Sequence, residues 1–229
     1  MTRRAFGASC FILINWQEYI FVLLFILMNT LEVFFNTSNY VMTHRPLSEY
    51  LKAFNIPRKK LYKLHGKKIL LIGGGNSPIQ HTFNRLGIDC DITNIDPYIT
   101  NTRTARTNIR CDFTKTNFKN EFHEIWALYS LPLYSPSITH ALQFYCNAVI
   151  ALKPGGILRI GGHPRHNINA WFAAPMHFPC DKQSVQILDD MLRLIHELKI
   201  KQHKNHETYI APKSQVIKDR LNKRLINLK

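Results

Sequence analysis

Apolar and polar positions fall into a repeating series from residue 47 onward. Leu47, Tyr50, Leu51 and Phe54, then Leu61 and Leu64, recur at three- and four-residue intervals on either side of Pro57, which predicts helical turns interrupted at the proline. The apolar run Ile69 to Ile72 predicts a buried strand, and the same alternation repeats downstream. A helix is expected from about Ser77 to Leu86 and a strand from Cys90 to Ile95. A loop with a short helix follows, then a strand from Glu124 to Tyr129, a helix around Ser137 to Leu152 and a strand from Ile157 to Ile160. Strands alternating with helices make βαβ units, so the expected fold class is α/β, a doubly wound, mostly parallel sheet with helices on both faces.

Two regions flank this series. The C-terminal part predicts an amphipathic helix from about Ser184 to Leu198, an edge strand near Glu207 to Ile210, and a final basic helix. In that helix Ile217, Leu221, Leu225 and Leu228 share a face expected to dock on the core, while Lys218, Arg220, Lys223 and Arg224 lie elsewhere. At the other end, Phe11 to Phe35 is the most hydrophobic stretch, yet Asn15, Gln17, Glu18, Asn29, Thr30 and Glu32 interrupt it and only Tyr19 to Met28 is unbroken. A membrane span needs about 20 apolar residues, and no small-x-small cleavage site follows. Residues 1–41 are therefore expected to be a hydrophobic helical segment preceding a domain at 42–229. It reads as a helix packed on that domain or as the product of a start upstream of Met42. A weak membrane anchor through 11–35 is the third reading, disfavoured because Glu in hydrocarbon is costly.

At 229 residues the chain accommodates one α/β domain plus a short extension. Its net charge of +15 suits an anionic partner, whether nucleic acid, acidic lipid or a charged substrate, without choosing among them. Arg58, Lys59, Lys60, Lys63, Lys67 and Lys68 crowd the approach to the first strand, either as a solvated face or as a phosphate-contacting edge. The cysteines Cys10, Cys90, Cys111, Cys146 and Cys180 are scattered, odd in number and never spaced C-x-x-C, which predicts reduced thiols in a cytoplasmic protein.

Candidate chemistry sits at the strand ends. The first strand runs into Gly73, Gly74 and Gly75, followed by Asn76, Ser77 and Pro78, a turn whose missing Cβ atoms allow a nucleoside or dinucleotide cofactor to approach the backbone. The second strand ends at Asp96, placed to accept hydrogen bonds from both ribose hydroxyls; the alternative for Asp96 is a turn former before Pro97. Asp112, in Ile109-Arg-Cys-Asp-Phe-Thr114, follows the third strand and is otherwise a helix or turn cap. Ala151-Leu-Lys-Pro-Gly-Gly-Ile-Leu-Arg-Ile160 supplies a helix end, a tight turn and the fifth strand.

Taken in order, these elements resemble the class I, Rossmann-like S-adenosylmethionine-dependent methyltransferases over about Lys67 to Gly162. The resemblance implies S-adenosylmethionine as cofactor, with Gly73, Gly74, Gly75, Ser77, Asp96 and Pro97 around its ribose and amino-acid end. It also implies Asp112 and Phe113 beside the adenine, with the Asp112 carboxylate accepting from the adenine amino group, Tyr129 as a further cofactor-binding residue, and Ser130 to Ser135 along the methyl-transfer site. The family commonly has an acid where Leu71 stands and a glycine where Ser77 stands. The Asn-Pro-Pro-aromatic signature of many amino-methylating enzymes is absent from Tyr129-Ser-Leu-Pro-Leu-Tyr134. The expected substrate is accordingly a small molecule. RNA methylation, a catalytically silent binding module and a NAD-dependent oxidoreductase stand as alternatives. Tyr129, Tyr134 and His163 are candidate bases. His163, His166, His177 and Cys180 have zinc-ligand spacing, but the prolines around them favour a pocket-wall loop with Trp171 and Phe172.

Overall fold

In the structure, a computed structural model, the described residues are 44–100, 105–132, 135, 137–162, 196–203 and 206–227, and all that follows concerns these. Helix α1 (Leu47–Ala53) and a 3-10 segment η1 (Arg58–Leu64) flank Pro57, which carries a fixed extended backbone between them. Strand β1 (Lys68–Ile72) has four consecutive buried residues after Lys68, because both of its faces are covered. Helix α2 (Ile79–Arg85), β2 (Asp91–Ile95) and β3 (Thr107–Ile109) follow, then a short 3-10 turn η2 (Phe113–Lys115) and β4 (Phe122–Leu128). Helix α3 (Ile138–Ala151) leads into β5 (Leu152–Gly161), and β6 (Lys201–Gln202), β7 (His206–Ile210) and α4 (Gln215–Ile226) complete the series.

The seven strands lie in the order β3-β2-β1-β4-β5-β7-β6. The first five are parallel; β7 runs antiparallel to β5, and β6 antiparallel to β7. Alternate residues feed two cores. Leu70, Ile72, Ile125, Ala127, Leu158 and Ile160 pack with α3 and with Leu225 of α4. On the opposite face Ile69, Leu71, Trp126 and Leu128 pack with α1, η1 and α2. Burial on both faces is what makes β1 and β4 read as continuous apolar runs. The order reverses between β1 and β4, and in open α/β sheets ligands bind at the carboxyl ends of the strands at such a switch point. The first five strands match the dinucleotide-binding order; an antiparallel β7 stands where that fold adds a sixth parallel strand.

Three expectations are corrected. Strand β7 is not an edge: β6 pairs with it through Lys201 and Gln202, so it lies between two strands. The Lys-Pro-Gly-Gly turn is not a break before β5 but a bulge within it, since Phe122 pairs with Leu152 and Glu124 already pairs with Ile157. Gly155 takes the bend at φ 73°, and its N–H donates to Pro212 O at 3.0 Å. The docking face of α4 is rotated from the one expected. Ile217 is exposed, while Lys218 is 0% exposed and aligned with Leu225, because its ammonium reaches Asn120 Oδ1 at 2.7 Å and Ile150 O at 3.3 Å. Residues 1–41, most of the helix expected at Ser184 to Leu198, and the loop bearing His163, His166, Trp171, Phe172, His177 and Cys180 lie outside the described residues, as does Tyr134. Among the described residues, no helix is long and apolar enough to cross a membrane, and no group of three metal-ligating side chains is assembled.

Candidate functional site

Gly73, Asp96 and Asp112 come together beyond the carboxyl ends of the adjacent strands β1, β2 and β3. Gly73 has φ 66° and Gly75 φ 55°, the left-handed region that glycine enters at least cost. The close approaches at the first two glycines are made by the protein itself. A Cβ on Gly73 would stand 2.3 Å from Ser130 Cβ, and one on Gly74 would stand 2.4 Å from Asn94 Oδ1. Ser130 anchors beneath the turn by donating to Ile72 O at 2.7 Å, and Asn94 donates to Gly75 O at 2.8 Å. The Ser77 hydroxyl donates to Gly74 O, so this serine closes the turn from inside where a glycine was expected.

Asp96 is buried and ties the turn to the end of β2. Its Oδ2 accepts from Gly75 N at 2.9 Å and its Oδ1 from Tyr98 N at 2.8 Å. The second bond is the turn-forming contact expected of an Asp before Pro97, and the first links two strand ends. Each oxygen so engaged retains a lone pair for a further donor. Pro97 is exposed at the rim.

Asp112 caps η2, its Oδ1 accepting from Thr114 N and Thr114 Oγ1, both at 2.9 Å. Its Oδ2 lies 2.9 Å from His140 Nε2 in the first turn of α3. Burial raises the carboxyl's pKa, but the hydrogen bonds from His140 and Thr114 outweigh it and hold Asp112 below its ordinary value. His140 is fixed from the other side by Ser135, with Nδ1 and Oγ 3.2 Å apart. Phe113 turns away into the core against Phe144, so toward a ligand it offers only backbone.

The switch point is closed on the β4 side by Tyr129 and Arg45. Tyr129 holds φ 49°, strained for a side chain with a Cβ, and is 40% exposed. Arg45, just before α1, donates from Nη1 to Leu128 O at 2.9 Å and Gly73 O at 3.2 Å, and from Nη2 to Tyr129 O at 3.4 Å. Its guanidinium carbon stands 5.4 Å from the Tyr129 ring centroid. Buried Tyr50 of α1 brings its hydroxyl beside Arg45 and Ser77; burial raises its pKa, with Arg45 opposing. Leu71, where an acid was expected, is 1% exposed in the core beneath. Arg45 and His140 were not singled out from sequence, since neither belongs to a local motif: the partners of Arg45 lie 28 to 84 residues away, and Asp112 lies 28 from His140.

Strand order and strand-end acids together define a Rossmann-like domain with its candidate site at the switch point. No protein-family model matches the chain, and no curated protein matches it in sequence. In fold it is similar to the N-methyltransferase NodS from Bradyrhizobium japonicum, with 16% identity, 72% of this chain and 93% of that one covered, and a TM-score of 0.42. It is also similar to the antibiotic-resistance methyltransferase Kmr, at 15% identity over 67% of this chain and 90% of that one, TM-score 0.43. A putative S-adenosyl-L-methionine-dependent methyltransferase from Methanococcus maripaludis is similar at 14% identity over 72% and 88%, TM-score 0.43. These are likenesses of fold.

Proposed function

We propose that this chain is an S-adenosylmethionine-dependent methyltransferase acting on a small molecule. The observation that carries the reading is the row of groups at adjacent strand ends: the glycine turn after β1, Asp96 after β2 and Asp112 after β3, beside the switch point. The residues fit the cofactor's chemistry. Asp96 has one acceptor position left on each oxygen for a ribose hydroxyl, and Asp112 Oδ2, shared with His140, has one for an exocyclic amino group. Gly75, at positive φ, donates its N–H to Asp96.

When bound, the cofactor supplies an activated methyl on a sulfonium. The protein's own task is then mainly to orient the pair, and a base is required only where the acceptor must lose a proton. His140 has both ring nitrogens engaged, by Asp112 and Ser135, and so acts as a positioning residue that fixes the carboxylate. Tyr129, strained and partly exposed just beyond β4, is the candidate base among the described residues. The antiparallel β7 disfavours the oxidoreductase alternative, because the dinucleotide-binding order continues in parallel. The silent-module alternative is favoured by one feature, the packing of Leu71 into the core where an acid would meet the cofactor's ammonium.

Incubation of the full chain with methyl-labelled S-adenosylmethionine and a cell extract, followed by separation into small molecules, RNA and protein, tests the reading. Label is expected in the small-molecule fraction. Label in RNA would reassign the substrate, and cofactor binding without any transferred label would make the domain a silent module.

A further inference from the structure

Leu128 O and Gly73 O mark the two banks of the switch-point crevice, and a single guanidinium bridges them. Arg45 spends three N–H groups on Leu128 O, Gly73 O and Tyr129 O. A guanidinium has five, so among the described residues Nε–H and one Nη2–H have no partner at hydrogen-bond distance. All three acceptors are neutral carbonyls, and among the described residues Arg45 forms no ion pair with a carboxylate. The result is a positive charge held rigidly at the crevice, only half-buried, stacked on a tyrosine whose own backbone is strained to bring it there. A planar fork with two free donors is matched by a carboxylate more closely than by any other common anion of its size.

On the reading of the site given above, we propose that Arg45 binds the carboxylate of the cofactor's amino-acid end, so that a cation from before α1 does the anchoring and no acid in β1 is needed. Leu71 is then no sign of a lost site: it packs the core below, and the amino-acid end is held from the opposite bank by its negative group.

The test compares two ligands that differ only in the carboxylate, S-adenosylhomocysteine and its decarboxylated analogue, which keeps the ammonium, by calorimetric titration of the full chain and of Arg45→Gln and Arg45→Lys. Wild type is expected to bind S-adenosylhomocysteine about tenfold to a hundredfold more tightly than the analogue, the range of a charge-assisted hydrogen bond. Arg45→Gln should erase that preference while leaving the analogue's affinity within about twofold, since contacts that do not involve residue 45 add independently. Arg45→Lys should keep part of it, and carries the comparison if the glutamine variant does not fold by circular dichroism. Unchanged S-adenosylhomocysteine affinity, or an equal loss for both ligands, would overturn the proposal and leave Arg45 a clamp between loops. Failure of wild type to bind either ligand would overturn the cofactor reading itself, a result distinct from both.

Discussion

Asp112 holds its place by two kinds of contact, a cap on η2 and a bond to His140, and the pair gives the site a measurable pH signature. A carboxyl whose folded pKa is depressed stabilises the fold above its unfolded value near 4, and that contribution is lost as pH falls through the lower folded value. Asp112→Ala is therefore expected to be less stable than wild type in urea at pH 7, with the gap closing below about pH 4. A gap independent of pH would mean that the carboxylate does not make these bonds. Asp96→Ala should destabilise by about 1 to 3 kcal/mol, since it orphans the buried Gly75 N–H and also frees the part-buried Tyr98 N–H, and should abolish nucleoside binding. Both acids were visible in the sequence as strand-end residues. Their distant partners were not: Tyr98 and Thr114 are two residues away, but Gly75 lies 21 residues before Asp96, and His140 is brought to Asp112 only by the docking of α3.

Apolar positions located β1, β2 and β4 to within two residues: β1 is an unbroken buried run, while Ile92 and Ile95 in β2 and Ile125 to Leu128 in β4 mark their strands despite polar neighbours. Legibility failed where one buried polar contact overrode the periodicity. Helix α4 presents Lys218 to the core in preference to Ile217, as Asn120 and Ile150 O offer the ammonium two acceptors. Burial lowers the Lys218 pKa from 10.5 to about 8. Between those values the unfolded chain binds more protons than the folded one, so stability attributable to Lys218 should rise as pH increases from about 8 to 10.5. The difference between wild type and Lys218→Met, followed by chemical denaturation across that range, is expected to move in favour of wild type; a flat difference would place the lysine in solvent. The β5 bulge was legible as a turn but not as a strand, since pairing with β4 resumes beyond it.

Across the whole molecule, the doubly wound architecture could be read from the order of elements, whereas the antiparallel end of the sheet could not: β7 pairs antiparallel to β5, and β6 beyond it is two residues long with no apolar pattern. That end also carries an acid-sensitive group. Burial, helped by His203 and Arg159, lowers the His206 pKa to about 4. Its charging in the unfolded chain first should withdraw stability as pH falls from about 6.5 to about 4, and His206→Phe should flatten that slope. The charge of +15 leaves the choice of acceptor to experiment, and the proposed ligand is a nucleoside carrying an amino-acid end. Calorimetric titration of the full chain with S-adenosylhomocysteine and, in parallel, with NAD tests this most directly. The site described here predicts saturable binding of S-adenosylhomocysteine with none for NAD; binding of NAD alone, or of neither at about 1 mM, would contradict it.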